Sequence, residues 1–156
     1  MGSRWASGLA VAALAAAPPL AGQEVRELGI QATLTASDPV LGVAGLYGAL
    51  RPSQRTRISA AAGAGGSDGE AAWRGELLLH FLLNPAAQGR PGAYLAGGIA
   101  AVGGPVERGY LVVTLGFEAN PGSASGWFVE AGVGGGARLA GGYRWRWFPP
   151  WWPLRQ

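Results

Sequence analysis

The chain has 156 residues and a charged share of 13%, about half the ~25% usual in soluble domains. Its net charge of +3 rests on twelve arginines with no lysine and is not clustered, which argues against a nucleic-acid partner. There is no cysteine, so disulfides and thiolate metal sites are excluded, and an oxidising periplasmic route is compatible with the composition.

At the N-terminus Arg4 precedes an uncharged apolar run, Leu9 to Ala17, that Pro18-Pro19 stops after nine residues. This is the order of a signal peptide, and the run is too short to span a bilayer. Residues 1–22 are therefore expected to be a cleaved leader, with the mature chain starting near Gln23. The remainder is enough for one domain and too little for two. No later uncharged stretch reaches the roughly 18 to 20 residues of a transmembrane helix; the longest, Pro91 to Val106, is interrupted by glycine and proline.

From there on, polarity alternates in runs of about ten residues, the signature of strands. Eight runs follow one another: Glu24 to Ala36, Val40 to Leu50, Arg55 to Gly65, Ala71 to Leu83, Gly92 to Val102, Arg108 to Ala119, Gly126 to Gly134 and Arg138 to Phe148. Turn-forming clusters separate them: Ser37-Asp38-Pro39, Arg51-Pro52-Ser53, Gly66 to Gly69, Asn84 to Pro91, Gly103-Gly104-Pro105, Asn120-Pro121-Gly122 and Gly134-Gly135-Gly136. Each run matches the ~9–11 residues that a tilted membrane strand needs.

Parity assigns the faces. In the first run Leu28, Ile30, Ala32 and Leu34 oppose Glu27, Gln31, Thr33 and Thr35; in the fourth, Trp73, Leu77, Leu79, Phe81 and Leu83 oppose Arg74, Glu76 and His80. In the sixth, Leu111, Val113, Leu115 and Phe117 oppose Thr114, Gly116 and Glu118, and in the seventh Trp127, Val129, Ala131 and Val133 oppose Glu130. The second and fifth runs are too rich in glycine and alanine to assign. In the last, Tyr143, Trp145 and Trp147 share one face while Arg144 and Arg146 share the other. Guanidinium groups do not sit cheaply in hydrocarbon, whereas amphipathic rings collect at membrane interfaces. The expected arrangement is aromatics toward lipid and arginines toward a lumen.

In leader, strand number, dyad polarity and aromatic last strand the chain resembles the small eight-stranded outer-membrane barrels of Gram-negative bacteria. The resemblance implies an all-β, closed antiparallel up-and-down transmembrane barrel over residues 23–148; the Pro/Trp-rich tail at 149–156 departs from it, since members of the family often stop at the final aromatic. The resemblance also implies the outer membrane as location, outer-membrane lipids as surroundings, and the barrel assembly machinery as a partner during insertion. Gly142, Trp145 and Trp147 match the last three defined positions of that family's C-terminal insertion signal, while Ala140 stands where a polar residue is usual. Tyr143, Trp145, Trp147 and Phe148 form the expected aromatic girdle. Pro149, Pro150 and Pro153 cannot donate to a ladder, so the barrel is expected to close by Phe148, with Trp151 and Trp152 extending the girdle.

Eight strands enclose a space that side chains fill. The inward set then contains Glu27, Arg57, Arg74, Glu76, Glu118, Glu130, Arg144 and Arg146, which are expected to pair as salt bridges. Whether Arg57 lies opposite Glu76 or opposite His80 depends on where the turn near Ser67 is centred. With both termini on the periplasmic side, the connections near Asp38, Ser67, Gly104 and Gly135 face outward and are short.

Barrel enzymes that act on lipid A carry a His-x-Ser pair or related polar clusters, but His80 is followed by Phe81 and Leu82. The glycines lack the lysine and helix of a phosphate loop. No catalytic residue, metal site or cofactor is expected. The leading reading is a structural or envelope-stabilising barrel, with a narrow polar lumen where inward glycines leave room. Two alternatives stand beside it: a lipid-modifying barrel enzyme, and a secreted soluble barrel of the lipocalin or avidin kind. The latter inverts the parity, with Trp73, Phe81, Val113 and Trp145 inside around an apolar ligand.

Overall fold

In a computed structural model, residues 24–150 and 152 are described. The expected leader at 1–22, the start near Gln23, Trp151 and residues 153–156 lie outside the described residues. The described chain is all-β: β1 (Val25–Ala36), β2 (Leu41–Arg51), β3 (Thr56–Ser67), β4 (Glu70–Leu82), β5 (Gly92–Gly103), β6 (Arg108–Glu118), β7 (Ser125–Val133) and β8 (Ala137–Trp147). Each strand pairs antiparallel with the next, and β1 also pairs with β8, closing an eight-stranded up-and-down barrel. Closure gives every strand a neighbour on both sides and leaves no edge.

Sequence alternation becomes an inside and an outside. In β1 burial alternates strictly along all twelve residues, with Glu27, Gln31, Thr33 and Thr35 inward and Leu28, Ile30 and Leu34 outward. The same parity puts Arg74, Glu76 and His80 inside β4 and Arg144 and Arg146 inside β8. The arrangement with an apolar interior is not the one adopted: Trp73, Phe81, Val113 and Trp145 are exposed, and Arg74, Arg144 and Arg146, on the opposite parity of β4 and β8, are buried. The two strands that sequence left unassigned resolve through their tyrosines, since Tyr47 of β2 and Tyr94 of β5 are both inside.

The β3–β4 hairpin settles the register that sequence left open. Ser67 pairs with Glu70 across a two-residue turn, Asp68-Gly69, whose φ angles are 52° and 78°. Asp-Gly suits such a turn because glycine enters the left-handed region without penalty and aspartate tolerates it. Arg57 consequently lies opposite His80, and Glu76 lies opposite Ala61.

The connections at 37–40, 68–69, 104–107 and 134–136 gather at one end of the barrel, here the hairpin end. The other, the termini end, collects the start of β1, the end of β8 and the connections at 52–55, 83–91 and 119–124. At the termini end Arg51 corrects the sequence reading, which placed it in a turn. It pairs with Val25 as the last residue of β2 and points inward. A residue before proline is driven toward extended backbone, and that is a strand conformation.

Inward glycines make notches for rings. Gly116 lies opposite Tyr94 and Gly142 opposite Phe128. A Cβ at Gly116 would come within 2.2 Å of the Tyr94 ring, and one at Gly142 within 2.0 Å of the Ile30 carbonyl oxygen and 2.8 Å of the Phe128 ring. Gly116→Val is therefore expected to lower stability by ~1–3 kcal/mol, the usual cost of overpacking, because Tyr94 must leave the wall. Gly97→Ala, whose added methyl meets nothing closer than 3.6 Å, is the control. Denaturant midpoints of the two variants check this, and equal values would show that the notch is not needed.

Candidate functional site

The polar interior is organised as two layers of charge. At the termini end, Glu27 and Glu118 face Arg51, Arg57, Arg144 and Arg146, supplied by strands β1, β6, β2, β3 and β8. Arg51 donates through Nε to Glu27 Oε1, and Arg57 Nε donates to the same oxygen at 3.1 Å. Arg57 Nη2 reaches both oxygens of Glu118, at 2.7 and 2.8 Å, and Arg146 Nη2 donates to Glu118 Oε2 at 2.8 Å. Arg144 Nη1 lies 3.3 Å from Glu27 and 3.5 Å from Glu118.

Rings and carbonyls complete this layer. The Arg144 guanidinium carbon sits 3.8 Å from the Phe128 ring centre and 4.7 Å from that of Tyr47, within reach of the negative π-faces. Arg146 Nη1 donates to the carbonyls of Asn120 and Ser123 at 3.4 and 3.2 Å, which ties the 119–124 connection across the barrel end.

The second layer lies toward the hairpin end. Arg138 spans Glu76, at 2.8 and 2.6 Å, and Glu130, at 2.8 Å; Arg74 Nε donates to Glu76 at 2.7 Å. Gln31 donates to Thr33 at 3.1 Å and to Glu76 at 3.4 Å. Tyr94 links the layers, donating its hydroxyl proton to Glu130 at 2.9 Å while accepting from Arg144 Nη2 at 3.3 Å. Beyond Arg74, a cavity of about 80 Å³ opens at the hairpin end between Thr35, Ser37, Asp38, Ser67, Arg108 and Tyr110.

All eight inward charges read from the sequence, Glu27, Arg57, Arg74, Glu76, Glu118, Glu130, Arg144 and Arg146, lie in these two layers and are buried. The structure adds Arg51 and Arg138. Arg138 shares the parity of Arg144 and Arg146 along β8, so that signal was present; Arg51 was hidden by the proline that follows it. Glu76 meets Arg74 and Arg138, whereas Arg57 goes to the other layer.

Of the aromatic set, Tyr143, Trp145 and Trp147 point outward and are exposed, and the Tyr143 hydroxyl pairs with Ser125 Oγ at 2.8 Å. Trp152 corrects the girdle reading. Its backbone N–H bonds the Pro149 carbonyl at 3.0 Å, and the tail turns back so that the indole is buried. The ring lies 5.6 Å from that of Phe148 and 5.9 Å from the Arg51 guanidinium carbon, covering the termini end rather than joining the outer belt. An aromatic face over a buried cation is favourable, and no local feature of the tail announces it.

His80 has a hydroxyl partner that sequence did not reveal: Ser59 Oγ lies 2.7 Å from Nε2, one strand away, and both side chains are sealed inside. The imidazole also packs 5.2 Å from the Tyr94 ring. No group of acidic, histidine or cysteine side chains among the described residues could hold a metal ion.

No known protein family matches the chain, and no curated protein matches it. The functional reading therefore rests on the geometry just described.

Proposed function

We propose that this protein is an integral outer-membrane β-barrel of a Gram-negative envelope, with a structural, envelope-stabilising role and no catalytic one. The observation that carries this reading is the outer surface. Leu28, Ile30, Leu46, Leu79, Leu95, Ile99, Leu111, Val113, Leu115, Val129 and Leu139 are all exposed there, on every strand but β3, which adds Ile58. Exposed charge within the described strands is confined to Arg26, Glu70 and Arg108, each at or next to a strand end. A soluble monomer ordinarily exposes contiguous apolar surface only as a limited patch, whereas apolar side chains exposed on all eight strands match the lipid-facing band of a membrane barrel.

The belt is aromatic toward one rim. Phe81, Phe117, Trp127, Trp145 and Trp147 lie near the termini end, where amphipathic rings would meet headgroups. A charged interior paired across the barrel supports a rigid, packed wall. His80 and Ser59 are the nearest approach to a catalytic pair, but both are buried, where no lipid reaches them. Outer-membrane lipids would surround the belt, and the barrel assembly machinery would read the last strand.

The test is recovery and electrophoretic behaviour. The protein is expected in the membrane fraction, released by mild detergent, and migrating differently on a gel before and after boiling, because closed strand ladders resist detergent at room temperature. Recovery from the periplasm without detergent overturns the proposal.

A further inference from the structure

We propose that the layer of charge at the termini end is a binding site for a small monovalent anion of the halide class. This goes beyond the structural role argued above and rests on two independent observations. The first is the charge count. Arg51, Arg57, Arg144 and Arg146 face only Glu27 and Glu118, and all six side chains are at most 2% exposed. Two positive charges are in excess there, whereas the other layer balances Arg74 and Arg138 against Glu76 and Glu130. Arginine does not escape by losing its proton, and a buried charge without a counter-charge is strongly unfavourable.

The second observation is the number of surplus donors. Arg51 Nη1 and Nη2, Arg57 Nη1, Arg144 Nε and Arg146 Nε are buried and make no hydrogen bond, while the balanced layer has one such nitrogen, on Arg74. Unused N–H groups are thus concentrated where the charge is unbalanced. Arg51 and Arg57 both give Nε to the same oxygen of Glu27; the Arg51 guanidinium lies beneath Phe148 and Trp152 with Nη2 4.0 Å from Glu118, while Arg57 commits Nη2 to Glu118 and leaves Nη1 unbonded. A neutral acceptor could meet these donors, but only an acceptor that carries negative charge also offsets the surplus charge. The interior of an eight-stranded barrel is filled by side chains, which favours a monatomic ion over a phosphate or carboxylate.

The experiment uses the full-length folded protein, in detergent where it needs one. Thermal unfolding is followed while chloride replaces gluconate at constant ionic strength. A ligand that binds only the folded state raises the midpoint with the logarithm of its concentration, so a rise of roughly 3–5 °C per tenfold chloride is expected. Arg51→Gln should abolish that dependence, and Arg90→Gln, in the 83–91 connection, should keep it. A wild-type midpoint that ignores the anion, or a dependence undiminished in Arg51→Gln, overturns the proposal. Should Arg51→Gln not fold, ³⁵Cl line broadening on the unaltered protein decides. Broadening that bromide relieves supports the site, and its absence overturns it.

Discussion

Glu27→Leu is expected to be the most damaging single substitution in the lumen, costing at least the ~3–5 kcal/mol that follows when one partner of a buried ion pair is removed. Its carboxylate receives Arg51 and Arg57 on one oxygen and Arg144 on the other. Removing it leaves four guanidinium groups with Glu118 alone. Glu76→Leu takes an acceptor from Arg74 and Arg138, but Glu130 still holds Arg138 and the layer becomes positive by one charge only. Glu70→Leu, at an exposed strand start, should lie within about 0.5 kcal/mol of wild type.

The expected order of urea midpoints, measured in one detergent, is therefore Glu70→Leu, then Glu76→Leu, then Glu27→Leu. A second substitution separates charge from packing. Adding Arg51→Leu to Glu27→Leu removes one stranded cation, so the double variant should recover part of the loss, as coupled neighbours do in a mutant cycle. Additive losses, or equal midpoints for Glu27→Leu and Glu70→Leu, would show that the pairing does not hold the barrel together.

The inside and outside of this barrel are readable wherever a strand carries both charge and bulk. Parity in β8 separates Tyr143, Trp145 and Trp147 from Arg144 and Arg146, and closure leaves that parity only two outcomes. Glycine and alanine erase the signal in β2 and β5, where it is the partner strands that turn Tyr47 and Tyr94 inward. Register needs more than pattern: Arg57 meets His80 because Asp68 and Gly69 accept left-handed backbone, and a turn one residue earlier keeps the same alternation. Arg51 reads as part of an Arg-Pro turn although the constraint before proline also favours a strand. Trp152 depends on a residue a hundred positions away, and contacts of that kind have no local signature.

Pairing Trp145 and Trp147 with Phe148 and Trp152 in the same short segment divides two jobs that one set of substitutions can separate. The first two rings point outward from β8, and the second two pack against each other at a tilt over Arg51. On the proposed outer-membrane reading, replacing Trp145 and Trp147 with serine should sharply reduce membrane recovery, since it removes two rings of the aromatic rim and both apolar positions that match the insertion signal of such barrels. Deleting residues 149–156 should leave an inserted barrel that still shifts on boiling, because the β1–β8 ladder runs only to Trp147. That truncated barrel should nevertheless melt earlier than wild type, since Arg51 loses the Trp152 ring that covers it. Membrane recovery and the boiling shift report the first job, and the unfolding midpoint reports the second. If the truncated protein failed to insert while the double serine variant succeeded, the insertion signal would lie in the tail, and the outward rings of β8 would have no part in it.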